Sequence, residues 1–321
     1  MTVPLDLSGV FPVVQTPFTS TQDIDFDVLA REVEWAFAHG CDGLTIGMVS
    51  EVLRLSTDER KHLAEALCGL AVGRRVIVSC GAESTHAAVH LAAHGESAGA
   101  AALMAIPPLH VAVSDAELVG YFSAILDATS IPLVVQDASG YVGRPMSSAV
   151  LRNLADLFGP RVLAKPEAVP IGPNLSAIRD ATEGRVPIFE GTGGIALIDS
   201  FRRGITGTMP AVDLCWAVKA IWDALIAGDF ERAYTMSGPL CALITLQTEL
   251  DAFVAIEKYL LLRQGVFPNT IQRGPVSYRP DRETLAEVDR LFERLQAAVS
   301  GAPALGSTDA VAAGPASSWT A

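Results

Sequence analysis

The chain has four lysines, and one of them stands where an amine could do chemistry. Lys165 ends the apolar run Val162-Leu163-Ala164 and precedes Pro166-Glu167. An amine at the mouth of an apolar barrel loses its proton more readily than one in water, and the free amine attacks carbonyl carbon. The plainer alternative is a strand-end lysine that reaches solvent. Lys61 lies in a charge-mixed helix, and Lys219 and Lys258 fall in late helices where surface positions are normal. Glu167 follows Lys165 by two residues, so on a continuing strand both point to one face. It could move a proton at the carbon next to an imine, or merely pair with the ammonium.

Other polar residues sit at predicted strand ends. In Gly47-Met48-Val49-Ser50-Glu51 the glycine permits a tight turn and Ser50 offers a donor to a substrate carboxylate, although an ordinary capped loop has the same pattern. Gln136-Asp137 ends the fifth predicted strand, and Asp137 could instead order the loop through Ser139 and Gly140. His110 follows Pro107-Pro108-Leu109. Thr192 lies in Gly191-Thr192-Gly193-Gly194, which lacks the Lys-Ser/Thr of a phosphate loop and suits a small ligand or a tight turn. Thr208 ends the eighth predicted strand and completes the substrate-binding candidates: Gly47, Ser50, His110, Gln136, Thr192 and Thr208. His86, His90 and His94 share a helical face, but the outer two are about 12 Å apart along the axis, too far to share one ion. The five cysteines lack CxxC spacing and read as reduced thiols.

Eight short β-branched runs alternate with Ala- and Leu-rich amphipathic stretches, the pattern of parallel strands with crossover helices. The strands are expected at 9–16, 43–47, 75–80, 101–106, 132–136, 162–165, 187–189 and 204–208. Helices are expected between them, from 25–39 to 195–201. No Gly-rich dinucleotide fingerprint opens the chain, which favours a closed (β/α)8 TIM barrel over an open sheet. The expected organisation is a barrel over 1–212, C-terminal helices over 213–298 packed on it as one structural unit, and a flexible tail over 299–321. Half of the residues are hydrophobic, enough for a large core, and the net charge of −13 opposes nucleic-acid binding. Apolar runs stop short of membrane-spanning length, so no membrane association and a cytoplasmic home are expected.

The segments Phe11 to Phe18, Gly47 to Glu51 with Leu55 to Arg60, Ile106 to His110 and Lys165-Pro166-Glu167 resemble the dihydrodipicolinate synthase and N-acetylneuraminate lyase superfamily of Schiff-base aldolases and dehydratases. The resemblance spans roughly residues 9–290. It implies a barrel with a helical extension, assembled as a homotetramer or homodimer, with Lys165 matching the imine-forming lysine and no cofactor or metal required. This chain departs from the synthase pattern. Both threonines of the usual Gly-Thr-Thr-Gly-Glu loop are replaced, Gln136 aligns with the strand-five tyrosine, and Leu109 aligns with the strand-four loop tyrosine. Gln136-Asp137 with Lys165 and Glu167 looks more like the sugar-acid dehydratase branch, typified by 2-keto-3-deoxy-L-arabonate dehydratase.

That resemblance implies a carbon–oxygen hydro-lyase. Lys165 would form an imine with a 2-keto-3-deoxy sugar acid, Glu167 would remove the C3 proton, and the C4 hydroxyl would leave as water. Two alternatives stand beside it. One is a class I aldolase that makes or breaks a C–C bond with pyruvate through the same imine. The other is a non-catalytic 2-oxo acid binding protein.

Overall fold

The computed structural model describes residues 7–301. Eight parallel strands run through it: β1 (Gly9–Val10), β2 (Gly43–Thr45), β3 (Arg75–Ser79), β4 (Ala102–Ala105), β5 (Leu133–Asp137), β6 (Val162–Pro166), β7 (Phe189–Glu190) and β8 (Gly207–Thr208). Strands β2 to β6 pair consecutively, and β7, β8 and β1 form a second run. Single parallel bridges from Val13 to Thr45 and from Ala164 to Ile188 join the two runs at both seams. The expected (β/α)8 barrel is therefore observed, with several strands shorter than their β-branched runs.

Helices α1 (Phe26–Ala38), α2 (Thr57–Leu70), α3 (Thr85–Ser97), α4 (Asp115–Asp127), α5 (Ser148–Phe158), α6 (Ile171–Ala181) and α7 (Leu197–Arg202) separate the strands. Local chemistry sets several of their starts. Ser56 accepts from the Glu59 backbone N–H while Glu59 reaches back to the Ser56 N–H, so two otherwise orphaned donors are satisfied. Ser84 and Ser114 cap α3 and α4 in the same way, each accepting from a first-turn N–H.

Strand alternation sorts side chains into two cores. Phe11, Ile77, Met104, Val134, Leu163 and Phe189 belong to a cluster inside the barrel, while Leu133, Val135, Val162 and Ala164 pack in the shell between strands and helices. The same two-residue period carries Val134 on to Gln136 and Leu163 on to Lys165. The barrel interior is thus apolar below and polar at the C-terminal end of β5 and β6.

Four helices follow β8: α8 (Cys215–Ile226), α9 (Phe230–Ile244), α10 (Leu250–Arg263) and α11 (Arg282–Ser300). Helix α8 packs against β1, and α10 packs against the turns at Met48–Ser50 and Val212–Leu214. Charged groups tie α10 down. Asp251 meets Arg54 at 2.6 Å, and Lys258 pairs with Glu51 with both side chains fully withdrawn from water. Lys258 also donates to the Ile271 carbonyl at 2.8 Å and lies over the Phe18 ring. The surface position expected for Lys258 is corrected here. Its helix lies over the barrel rim, and the buried Glu51 carboxylate recruits the ammonium inward.

Residues 299 and 300 end α11, and 302–321, the rest of the expected tail, lie outside the described residues. Among the described residues no helix is long and apolar enough to cross a membrane.

Candidate active site

A cavity of about 50 Å³ opens at the C-terminal end of the strands, lined by residues of β5, β6, the loops after β2, β5 and β7, and α10. Lys165 and Glu167 both line it, their side chains only 5% and 3% exposed. The Lys165 Nζ lies 3.1 Å from Glu167 Oε1, and Gln136 Nε2 donates to Glu167 Oε2 at 2.6 Å. The parallel register that sets Gln136 opposite Lys165 brings these three groups together.

Burial raises the Glu167 carboxyl above its usual range, opposed by the Lys165 charge and the Gln136 hydrogen bond. Glu167 therefore takes up a proton more readily than an exposed carboxylate, which suits it to act as a base. Gly191 is required by this packing. A Cβ there would come within 2.6 Å of Lys165 Cε and 2.7 Å of Glu167 Cγ.

Of the substrate-binding candidates, Gln136 lines the cavity and the other five do not. Ser50 is buried and its hydroxyl donates to the Val14 carbonyl while accepting from Gly47 N–H, so it braces the loop whose Met48 and Val49 reach the cavity. Gly47 lies against the side chains of Val13 and Met104. His110 is exposed and pairs with Glu83 at 2.9 Å. Thr208 donates to Glu190 at 2.7 Å, and the Thr192 hydroxyl also meets Glu190, so both threonines hold that buried carboxylate.

Sequence reasoning missed Tyr141. The loop after β5 carries its phenol to the cavity, where it donates to the Gly191 carbonyl at 3.3 Å. Burial, then the neighbouring Glu167, Glu190 and Glu257 carboxyls, push the phenol well above its ordinary value, so it stays a proton donor. Leu250, Phe253 and Glu257 of α10 were missed as well. The Phe253 ring packs edge-on against Tyr141 with centroids 5.5 Å apart.

A barrel with a buried lysine–glutamate pair at the C-terminal rim defines an α/β-barrel enzyme of the lysine-dependent type. The chain belongs to the dihydrodipicolinate synthetase family, whose model matches residues 6–293. It is 29% identical over 297 residues to L-2-keto-3-deoxyarabonate dehydratase of Azospirillum brasilense, covering 89% of this chain and 94% of that protein. It is also 29% identical over 261 residues to 4-hydroxy-tetrahydrodipicolinate synthase of Rhizobium meliloti, covering 80% and 84%. Among solved structures, dihydrodipicolinate synthase from Rhodopseudomonas palustris superposes with a TM-score of 0.83 at 25% identity, covering 92% of this chain and all of that one. The chain is accordingly a Schiff-base-forming enzyme acting on a small 2-oxo acid.

The expected hydro-lyase class is overturned by the same comparisons. Similarity is dominated by synthases of the dihydrodipicolinate type, class I aldol enzymes that act on C–C bonds. The physical source of the error is visible in the site. Both reactions share one imine, so Lys165 and Glu167 do not discriminate between them. The dehydratase reading rested on the Gln136-Asp137 and Lys165–Glu167 pattern together with the replaced strand-five tyrosine, and Tyr141 supplies a phenol from the loop.

Proposed function

We propose that this protein is a class I aldolase-type lyase that forms or cleaves a C–C bond at C3 of a pyruvate unit held as an imine on Lys165. The imine rests on the 3.1 Å contact between Lys165 Nζ and Glu167 Oε1 in the cavity, and C–C chemistry is favoured over dehydration by the predominance of dihydrodipicolinate-type synthases among the relatives. An ammonium is no nucleophile, and the adjacent carboxylate is placed to accept its proton.

In the condensation direction the free amine adds to the C2 carbonyl of pyruvate, Glu167 returns its proton to the departing hydroxyl, and loss of water gives the protonated imine. Glu167 then takes a C3 proton, the C–H electrons form the enamine, and the imine nitrogen becomes neutral. The enamine carbon attacks an aldehyde carbonyl, making the new C–C bond as the C–O π pair becomes an alkoxide. Tyr141 protonates that alkoxide, and the C3 proton held on Glu167 then restores the phenol, so both groups return to their starting states. Water returns to the imine and releases a 4-hydroxy-2-oxo acid with free Lys165. Cleavage is the reverse sequence.

Positioning falls to the neighbours. In this reading the Met48 and Val49 backbone N–H groups hold the C1 carboxylate, because those of Gly47 and Ser50 are taken up inside the turn and the Ser50 hydroxyl fixes the loop from behind. Gln136 holds Glu167 by one oxygen and leaves the other toward the lysine. Orientation of this kind converts a bimolecular encounter into an intramolecular one.

The reading is tested by incubating the enzyme with pyruvate and a panel of aldehydes and following new 4-hydroxy-2-oxo acids by mass spectrometry. Pyruvate-dependent condensation that disappears in Lys165→Ala is the expected result. A protein that yields no C–C product in either direction with any aldehyde contradicts it.

A further inference from the structure

The cavity wall formed by α10 carries a carboxyl that the steps above do not use. Glu257 lies one helical turn beyond Phe253 and two beyond Leu250, so one face of α10 closes the site. Among the described residues lining the cavity there is one cation, Lys165, whose charge is lost in the enamine that meets the aldehyde, and there are two carboxyls, Glu167 and Glu257. No arginine lines it.

Behind that wall, buried oxygens outnumber the donors that serve them. Gln15 Nε2 donates to Glu257 Oε2, and the Gln15 backbone N–H donates to Glu32 Oε1 at 2.7 Å. Gln15 Oε1, Glu32 Oε2 and Asp213 Oδ2 are buried with no hydrogen-bond partner. Lys258, next to Glu257 in the chain, is already committed to Glu51 and the Ile271 carbonyl. Protons on the carboxyls themselves supply the missing donors, because a neutral acid donates through its O–H. Burial and then the proximity of Asp213 push Glu257 well above the usual carboxylate range, in agreement with that hydrogen-bond count.

A neutral acid offers one donor and one acceptor, which matches a hydroxyl group, and it offers no charge to balance an anion. A carboxylate or phosphate brought to this wall would be desolvated beside three carboxyls without a counter-ion. We propose that Glu257 is a specificity-determining residue that makes the acceptor side of the cavity select uncharged, hydroxyl-bearing aldehydes and reject anionic ones. This rests on the imine reading above and extends it to the second substrate.

The test uses three aldehydes, glycolaldehyde, its near-isostere propionaldehyde, and the anion glyoxylate, each with pyruvate. Wild type, Glu257→Leu and Glu257→Gln are compared by kcat/KM, and pyruvate trapped on Lys165 by borohydride reports an intact imine site in each. Wild type is expected to prefer glycolaldehyde over the other two by about tenfold, the worth of one hydrogen bond. Glu257→Leu loses the preference over propionaldehyde, and Glu257→Gln, which keeps a donor and an acceptor, retains it. Trapping with an unchanged preference in Glu257→Leu, or wild type that takes glyoxylate as readily as glycolaldehyde, overturns the assignment and leaves the imine reading intact. Absence of any pyruvate adduct in wild type overturns both.

Discussion

Glu167 is held between two neighbours: Lys165 Nζ lies 3.1 Å from its Oε1, and Gln136 Nε2 donates to its Oε2 at 2.6 Å. The carboxyl is buried, so its proton affinity is raised while its orientation is fixed on the amine. Replacing it by glutamine keeps the shape and removes the base. Glu167→Gln is expected to lower kcat by about 10²- to 10⁴-fold, the range for loss of a positioned acid–base group. Because the working base is the ionised form, wild-type activity rises with pH through a value above the ordinary 4.5 of glutamate, and the variant lacks that limb. Steady-state pH profiles check both points.

Tyr141 places a phenol in the cavity from the loop after β5. Tyr141→Phe retains the ring that packs on Phe253 and removes only the hydroxyl. Condensation kcat is expected to fall on the order of 10²-fold, with thermal stability close to wild type. A kcat equal to wild type would remove the phenol from the proton path.

Gly191 has no room for a side chain, since a Cβ would crowd Lys165 Cε and Glu167 Cγ. Gly191→Ala displaces the pair or the loop, and overpacking of this kind costs about 1–3 kcal/mol. The expected outcome is a folded protein with a sharply reduced rate of borohydride-trapped adduct. Circular dichroism and a trapping time course separate the two effects.

Asp213 is buried, and burial raises its carboxyl to about 7 from an ordinary 3.8. The folded state therefore binds this proton more tightly than the unfolded state. The stability it contributes is full below the unfolded value of 3.8 and is lost as pH rises through about 7. Asp213→Asn removes the titration. Its melting temperature is expected to decline less than that of wild type between about pH 5 and about pH 8, by a few degrees at the upper end. Differential scanning calorimetry across that interval measures the difference.

Lys258 and Glu51 form an ion pair with both side chains shielded from water. Lys258→Met leaves a buried carboxylate without its partner, a change that costs about 3–5 kcal/mol. Adding Glu51→Gln is expected to recover part of the loss, because the unpaired charge is then gone. Urea unfolding of the single and double variants gives the comparison.

Much of this was readable in the chain. Lys165, Glu167 and Gln136 stand at strand ends, and a two-residue period with parallel pairing decides which face they share. Gly191 fell in a glycine-rich segment already suspected of lying at a substrate site. Other parts required three dimensions. Ser50 has the right type for a carboxylate ligand, yet its hydroxyl is consumed by the Val14 carbonyl, a partner 36 residues away. Tyr141 depends on the path of the loop from Ala138 to Met146, which no periodicity encodes. Glu257 meets Gln15 across 242 residues of sequence, and only the packing of α10 over the barrel mouth brings it to the cavity. The class of bond handled after imine formation was misjudged because the lysine–glutamate pair serves both reactions and the returning phenol was invisible in the strand-five motif.

The central claim is that Lys165 forms an imine with a 2-oxo acid. The most direct measurement is to incubate the protein with pyruvate, reduce with borohydride, and locate the mass increase by peptide mass spectrometry. A reduced pyruvate adduct on Lys165, absent in Lys165→Ala, is the predicted result. Pyruvate and related 2-oxo acids that bind the protein yet leave no adduct on Lys165 would contradict the account.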